Sequence, residues 1–233
     1  MCPCDPLAGE SPKDLAMMFF EKTAKSYDGV AAWATFGQDL HWKNRMLDLL
    51  PEVDSYLDLA CGTGILTRMI AKKFPDSKIT GLDNSGSYLD VAKKNSAAYE
   101  NIAYVKCDAE KFSSSQKFGC IVSSYIPKYC DAEILADVCK NHLLPDGKII
   151  LHDFVYPDNV LVRKFWAMHF VVLGLIGFFI PSWKYAFDKL PDLIRQSRWL
   201  DENESILQKF GFETSRRILT LGTSAILVAS KGE

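Results

Sequence analysis

No two cysteines in this 233-residue chain stand at the C-x-x-C spacing, and the seven present are an odd, scattered set: Cys2, Cys4, Cys61, Cys107, Cys120, Cys130 and Cys139. That pattern excludes a disulfide framework and a zinc ribbon. A cationic excess is lacking too. Twenty-seven basic residues against 29 acidic ones leave a net charge of −2, which builds no field for nucleic acid. There is no internal repeat, no low-complexity linker, and no basic start followed by an apolar stretch of the kind a secretory leader needs. Cys107 and Cys120 sit in apolar surroundings and read as small buried hydrophobes, which suits a reducing cytosol. Cys2 and Cys4 read as part of a frayed tail rather than a soft-metal site, so no metal is expected.

What is present is alternation. Helices are expected over 13–26 and 38–50, the second stopped by Pro51. Short apolar strands then follow at 55–59, 78–82, 102–106, 118–123 and 148–152. Between them lie helices at 65–74, 85–99 (with Ser85 as cap) and 131–143, and a turn at Pro145-Asp-Gly147. Such alternation predicts a parallel sheet covered on both faces. It breaks at Pro157. Residues 157–199 read as an aromatic-rich helical insertion covering a site on the sheet. It resumes with a helix at 201–210 and a strand pair at 214–219 and 224–229, joined by a Gly222 turn as a terminal antiparallel hairpin.

The first strand runs into Asp58-Leu-Ala-Cys-Gly62-Thr-Gly64 and then a helix, so a ligand can approach the backbone and the helix N-terminus. The third glycine of the dinucleotide fingerprint is Thr67, and no Gly-Lys-Ser/Thr follows, which argues against a pyrophosphate or a triphosphate. The acid before the loop suits a ligand carrying a cationic amine. Asp58, Asp83 and Asp108 recur every 25 residues, one after each of the first three strands. Singly each is a turn residue or cap. In register beside a glycine loop they read as a site, with Asp83 accepting from ribose hydroxyls and Asp108 from an adenine amino group.

These motifs, with Gly-Leu-Asp83, Cys107-Asp108-Ala and Leu-Leu-Pro-Asp-Gly-Lys, resemble the class I S-adenosylmethionine-dependent methyltransferases over about residues 54–154. The resemblance implies a Rossmann-like seven-stranded α/β sheet with its last strand antiparallel. It implies S-adenosylmethionine as cofactor and S-adenosylhomocysteine as product. The cofactor set then includes Ala60, Cys61, Gly62, Thr63, Gly64, Asn84, Ala109 and Ser124 beside the three acids.

A resemblance over most of the chain is to the ubiquinone/menaquinone biosynthesis C-methyltransferases. It is carried by Phe19-Phe-Glu-Lys-Thr-Ala-Lys-Ser-Tyr27-Asp28, Thr35-Phe-Gly37, Trp42-Lys43, Leu151-His-Asp153-Phe154…Pro157, Ile180-Pro181, and Gly211-Phe212…Leu219-Thr-Leu-Gly222-Thr. The chain departs from that family's pattern at Ala31, at Asp39-Leu40 and around Lys128-Tyr129. The resemblance implies methylation of a ring carbon of a hydrophobic quinol, and a contact of Tyr27 with the cofactor's methionine part. It suggests a division into N-terminal helices (1–50) packed over the cofactor and a catalytic domain (51–233) with a helical lid at about 157–199.

Trp42 reads as helix packing. His152 and Asp153 end the fifth strand and are candidates for general base or substrate positioning. Arg195 and Arg198 read as surface charges, or Arg198 as a hold on an acceptor oxygen. Phe165–Ile180 is 16 residues broken only by His169 and glycines, shorter than a membrane span, and fits a buried lid or a membrane surface. A small hydrophobic acceptor suits both, with the protein cytoplasmic or at the membrane periphery. Methyl transfer to oxygen, nitrogen, sulfur or a metalloid shares every cofactor motif, and a non-catalytic S-adenosylmethionine-binding protein shares the fold.

Overall fold

Near-continuous burial of the central strands, on both faces, sets the architecture. In the computed structural model, which describes residues 23–231, these strands are β1 (Ser55–Leu59), β2 (Lys78–Asp83), β3 (Ile102–Lys106), β4 (Phe118–Ser124) and β5 (Leu143–Phe154). With β6 (Phe212–Leu219) and β7 (Ser224–Lys231) they form one seven-stranded sheet in the order β3-β2-β1-β4-β5-β7-β6. Neighbours among β1 to β5 are parallel, and β7 is antiparallel to both β5 and β6. The chain winds from β1 out to β3, then returns to β4 on the other side of β1. The crevice of an open α/β sheet lies at such a switch point, outside the strand carboxyl ends.

The expected terminal hairpin forms, with its order fixed by burial. β7 carries Ala225, Ile226 and Leu227 fully buried and so takes the interior place beside β5. β6, with Arg216 and Arg217 exposed, is left at the edge, where charge discourages further pairing. Alternate residues supply two cores. Leu57, Leu59, Ile121, Ile149 and Leu151 face one side, packed with Leu135, Trp199 and Leu207. Tyr56, Cys120, Val122 and Ile150 face the other, with Met46, Leu66 and Ile70. Each such aliphatic side chain contributes about 1.5–3 kcal/mol by leaving water.

Eight α-helices lie among the described residues: α1 (Tyr27–Ala34), α2 (Gln38–Leu47), α3 (Ile65–Lys73), α4 (Gly86–Asn95), α5 (Ala132–His142), α6 (Val160–Gly177), α7 (Pro181–Gln196) and α8 (Trp199–Lys209). Asp131 caps α5 by accepting from the Glu133 and Ile134 amides, and Asn159 caps α6 through the Leu161 and Val162 amides. Ser85 precedes α4, but its hydroxyl meets Ser87 at 3.0 Å instead of capping. α4 stops at Asn95, short of the expected Tyr99, and the next residue, Ser96, meets the Tyr104 hydroxyl of β3 at 2.7 Å. The expected turn at 145–147 lies inside β5, as a register shift opposite Phe118 and Cys120. The helix expected at 13–26 falls outside the described residues up to position 22, as do Cys2 and Cys4. Cys120 is buried as expected, whereas Cys107 is only half-buried.

The segment between β5 and α8 holds α6 and α7, packed as a pair. A side chain at Gly177 would meet the Lys184 backbone at 3.0 Å, so glycine lets the two helices approach. Leu173, Trp183 and Phe187 form their shared core, flanked by Tyr27, Val30 and Ala34 of α1.

Candidate functional site

At the switch point the chain leaves β1 through Ala60, Gly62 and Gly64, all with positive φ (54°, 57° and 75°). That left-handed path costs glycine little and turns the loop amides inward. One of them, Gly62 N–H, donates to Asp83 Oδ2 at 2.9 Å, and Ser85 N–H donates to Asp83 Oδ1 at 2.9 Å. Asp83 therefore fastens the loop after β1 to the end of β2. Each of its oxygens spends one lone pair on an amide and keeps another for a ligand. Burial raises its pKa.

Asp58, at the end of β1, accepts from Thr67 Oγ1 at 2.6 Å. Burial pushes its pKa up to about 7 against the pull of Thr67 and Lys43. Asp108 caps a short 3-10 turn by accepting from the Glu110 amide at 3.1 Å, so its helix-cap role and its place at the site coexist. All three acids line one cavity of about 110 Å³, together with Tyr27, Ala60, Cys61, Gly62, Thr63, Asn84, Ala109 and Ser124. Of the residues expected around the cofactor, Gly64 alone is outside this lining. It stands behind the loop as the residue preceding α3.

The same cavity takes in residues that sequence reasoning did not single out: Lys43, Tyr88, Tyr125 and Tyr129 among them. Tyr27 lies edge-on to Tyr88 with ring centres 5.4 Å apart, and is stacked on Trp183 at 5.9 Å. Asp28, beside it, accepts from Thr63 Oγ1 at 2.5 Å, which holds α1 over the loop.

A second cavity, about 360 Å³ and almost wholly apolar, adjoins the first. Tyr27, Tyr125 and Tyr129 line both, so three aromatic rings mark the junction. Its walls come from α1, α2, α6 and α7, with Trp42, Phe154, Phe165 and Trp166 among the lining. Trp42 packs as expected, 5.5 Å from Phe154 and 5.6 Å from His152, with its indole N–H on Thr220 at 2.7 Å.

Two lysines line this cavity, the exposed Lys189 and the buried Lys128. Lys128 Nζ donates to Asp153 Oδ1 and to the Tyr125 carbonyl, both at 2.8 Å, and lies 4.3 Å from the Tyr129 ring centre. Burial lowers the Lys128 pKa, while the Asp153 carboxylate opposes that shift.

His152 and Asp153 are the residues expected to act as general base or in substrate positioning. Both are fully buried and line neither cavity. The His152 ring nitrogens meet Ser124 Oγ at 2.9 Å and Ser224 Oγ at 2.7 Å, and burial pulls its pKa well down, so it is a neutral imidazole. Asp153 is taken up by Lys128 and by the amides of Lys128 and Phe154. The reason is topological. β5 stands one strand from the switch point, with β7 paired along its free edge. Both side chains reach the cavities only through a neighbour, Ser124 for His152 and Lys128 for Asp153. Arg198 is expected as a surface charge or as a hold on an acceptor oxygen. It is exposed at the start of α8 and lines neither cavity, as does Arg195.

A parallel sheet with one antiparallel strand carries an acid-lined loop at its switch point, and with the matches that follow the chain is an S-adenosylmethionine-dependent methyltransferase. The methyltransferase domain family matches residues 57–147. Over nearly its full length the chain is similar to the demethylmenaquinone methyltransferase of Thermotoga maritima, 25% identical over 94% of this chain and 97% of that one. It is likewise similar to the 2-phytyl-1,4-naphtoquinone methyltransferase of Thermosynechococcus vestitus, 28% identical over 91% and 97%. Among solved structures, the fold matches the N-methyltransferase NodS of Bradyrhizobium japonicum in complex with S-adenosyl-L-homocysteine. That match has a TM-score of 0.58 and 15% identity, covering 85% of this chain and 88% of that one. It also matches phosphoethanolamine N-methyltransferase 2 of Haemonchus contortus, with a TM-score of 0.65 and 16% identity, covering 93% and 60%. The lining fits the cofactor S-adenosylmethionine. Spare carboxylate lone pairs at Asp83 suit a diol, and the buried Asp58 suits an ammonium.

Proposed function

We propose that this methyltransferase acts on a ring carbon of a hydrophobic quinol. The observation that carries the reading is the large apolar cavity joined to the acid-lined one across Tyr27, Tyr125 and Tyr129. Similarity to quinone methyltransferases over nine tenths of the chain supports it.

In this reading Asp83 accepts from the ribose hydroxyls, Asp108 from the adenine amino group, and Asp58 from the amine of the methionine part. Ala60, Cys61, Gly62, Thr63, Asn84, Ala109 and Ser124 shape the remaining wall, and Gly64 lets the loop turn. Bound there, the cofactor supplies an electrophilic methyl on a sulfonium. The chain's own contribution is alignment and exclusion of water. Tyr27, Tyr125 and Tyr129 wall the junction through which the methyl passes, while α6 and α7 act as the lid over the acceptor.

Lys128 is placed to hold an acceptor hydroxyl oxygen as its proton passes to water. A cation in an apolar wall stabilises a phenolate more than water does. The phenolate's electron pair raises density at the ortho carbon, where the bound cofactor would supply the methyl and be left as S-adenosylhomocysteine. The ring-carbon proton then passes to water and aromaticity returns. Asp153 serves as a positioning residue through Lys128, and His152 through Ser124.

The test is a transfer assay with methyl-labelled cofactor, offering a demethylmenaquinol analogue, a small phenol and arsenite. Label on a ring carbon of the quinol, located by NMR, is the expected result. Label only on arsenite or on a heteroatom overturns the quinol reading and leaves the methyltransferase fold standing. Tight cofactor binding with no transfer to any acceptor favours the non-catalytic alternative.

A further inference from the structure

We infer that the α6 face and two neighbouring turns form a docking surface for an anionic lipid bilayer. The inference builds on the hydrophobic-acceptor reading, since the surface surrounds the mouth of the apolar cavity.

The first observation is a stripe. Leu161, Phe165, Met168, Val172, Leu175 and Phe179 recur every three or four residues along α6 and just past its end, and all are exposed. Phe179 is 87% exposed. The opposite face carries Trp166, Leu173 and Gly177, buried against α7 and its surroundings. α6 is therefore fastened along one side, with its other side free. At 18 residues it is about 27 Å long, and can lie flat with its free side in the headgroup boundary.

The second observation is independent of the helix. Phe36 and Leu221 occupy turn tips with positive φ (52° and 55°), a conformation that strains bulky side chains. They are 78% and 81% exposed. Both nonetheless line the apolar cavity, as does Phe165 of the stripe. Phe36 lies 5.0 Å from His169 of α6, ring centre to ring centre, which ties its turn to the helix. Three separate elements thus present large apolar side chains around one opening.

The occupant follows from the opening and the charge. A protein seated across these elements would plug the mouth through which an apolar acceptor must pass, whereas a bilayer is where such an acceptor resides. Residues 157–199 carry six basic and three acidic side chains, in a chain whose total is −2. That local positive balance complements anionic headgroups.

The experiment is sedimentation of the full chain with vesicles of phosphatidylglycerol and phosphatidylethanolamine containing no quinone, beside a triple variant Val172→Glu, Leu175→Glu, Phe179→Glu. None of these three lines either cavity. The wild type is expected to sediment with the vesicles, and the variant to partition at least tenfold less while binding S-adenosylhomocysteine equally well. Wild type left in the supernatant overturns the inference, and so does a variant that sediments like wild type. A wild-type dimer in light scattering that the variant converts to monomer also overturns it, because a second copy then covers the face. With no quinone in the vesicles, failure of the quinol reading leaves this result unchanged. Conversely, transfer to a detergent-dispersed quinol tests the acceptor without the membrane.

Discussion

The Tyr125 hydroxyl donates to Asp39 Oδ1 across 2.7 Å, joining the residue just past β4 to the first turn of α2. Asp39 is also paired with Lys43 one turn further on, and Lys43 Nζ stands 4.8 Å from the Tyr125 ring centre. Tyr125 itself has φ +73°. A buried carboxylate thus fixes a strained tyrosine where the two cavities meet. Burial, and then Asp39, push the Tyr125 pKa well up, so the phenol keeps its proton.

Tyr125→Phe removes the donor and keeps the ring. Asp39 retains Lys43 but loses a hydrogen bond to a charged group, worth about 1.5–3 kcal/mol. The denaturant midpoint is expected to fall accordingly with an unchanged m-value. Affinity for S-adenosylhomocysteine is expected to stay within about threefold, because the aromatic wall remains. An unchanged midpoint would show that the pair contributes nothing to stability.

Asp83→Ala deletes the acceptor for both the Gly62 and Ser85 amides and any acceptor for the ribose. Calorimetric titration with S-adenosylhomocysteine is expected to show at least a roughly tenfold loss, since 1.4 kcal/mol is tenfold and charged hydrogen bonds exceed that. Asp83→Asn keeps one carbonyl oxygen and is expected to lose less. Equal affinity in wild type and the Ala variant removes Asp83 from the cofactor contacts.

These acids were legible because each closes a strand, and strand ends fall at regular intervals when β-α units repeat. Asp58, Asp83 and Asp108 need only local sequence to be placed. The Asp39–Tyr125 contact joins residues 86 positions apart, and Lys128–Asp153 joins residues 25 apart across two strands. No local pattern marks either pair. Both nonetheless involve positions where the chain departs from the quinone methyltransferase pattern, at Asp39-Leu40 and Lys128-Tyr129. For His152 and Asp153 the sequence left base and positioning roles open, because a strand's carboxyl end opens on the crevice only near the switch point and strand order is not written in any one segment.

Asp58 gives a pH signature. Its folded pKa of about 7 lies above the unfolded carboxylate value near 4. Between these values the folded state binds more protons than the unfolded state. Stability without cofactor is therefore expected to fall as pH rises from about 4 to 7, and to level off above. An ammonium placed on Asp58 by the cofactor favours the ionised form, so binding at pH 6 is expected to release a proton. Titrations in buffers of different ionisation enthalpy measure this. Asp58→Asn is expected to abolish the buffer dependence, and a buffer-independent wild type would separate Asp58 from the amine.

Lys128 and Asp153 separate structure from chemistry in one cycle. Lys128→Met leaves the fully buried Asp153 carboxylate without its cation, which typically destabilises by about 3–5 kcal/mol. Asp153→Asn in the same chain removes the stranded charge and keeps an oxygen for one of the Lys128 and Phe154 amides. The double variant is therefore expected to regain much of the lost stability in chemical unfolding. If the ammonium only balances Asp153, turnover returns with it. If it holds an acceptor phenolate, turnover of a demethylmenaquinol analogue stays down by about a hundredfold, as for loss of one oxyanion donor. The loss is expected in kcat at unchanged affinity for S-adenosylhomocysteine. Lys128→Arg keeps the cation and is expected to restore part of kcat. A stable double variant with wild-type kcat would remove Lys128 from the transfer step.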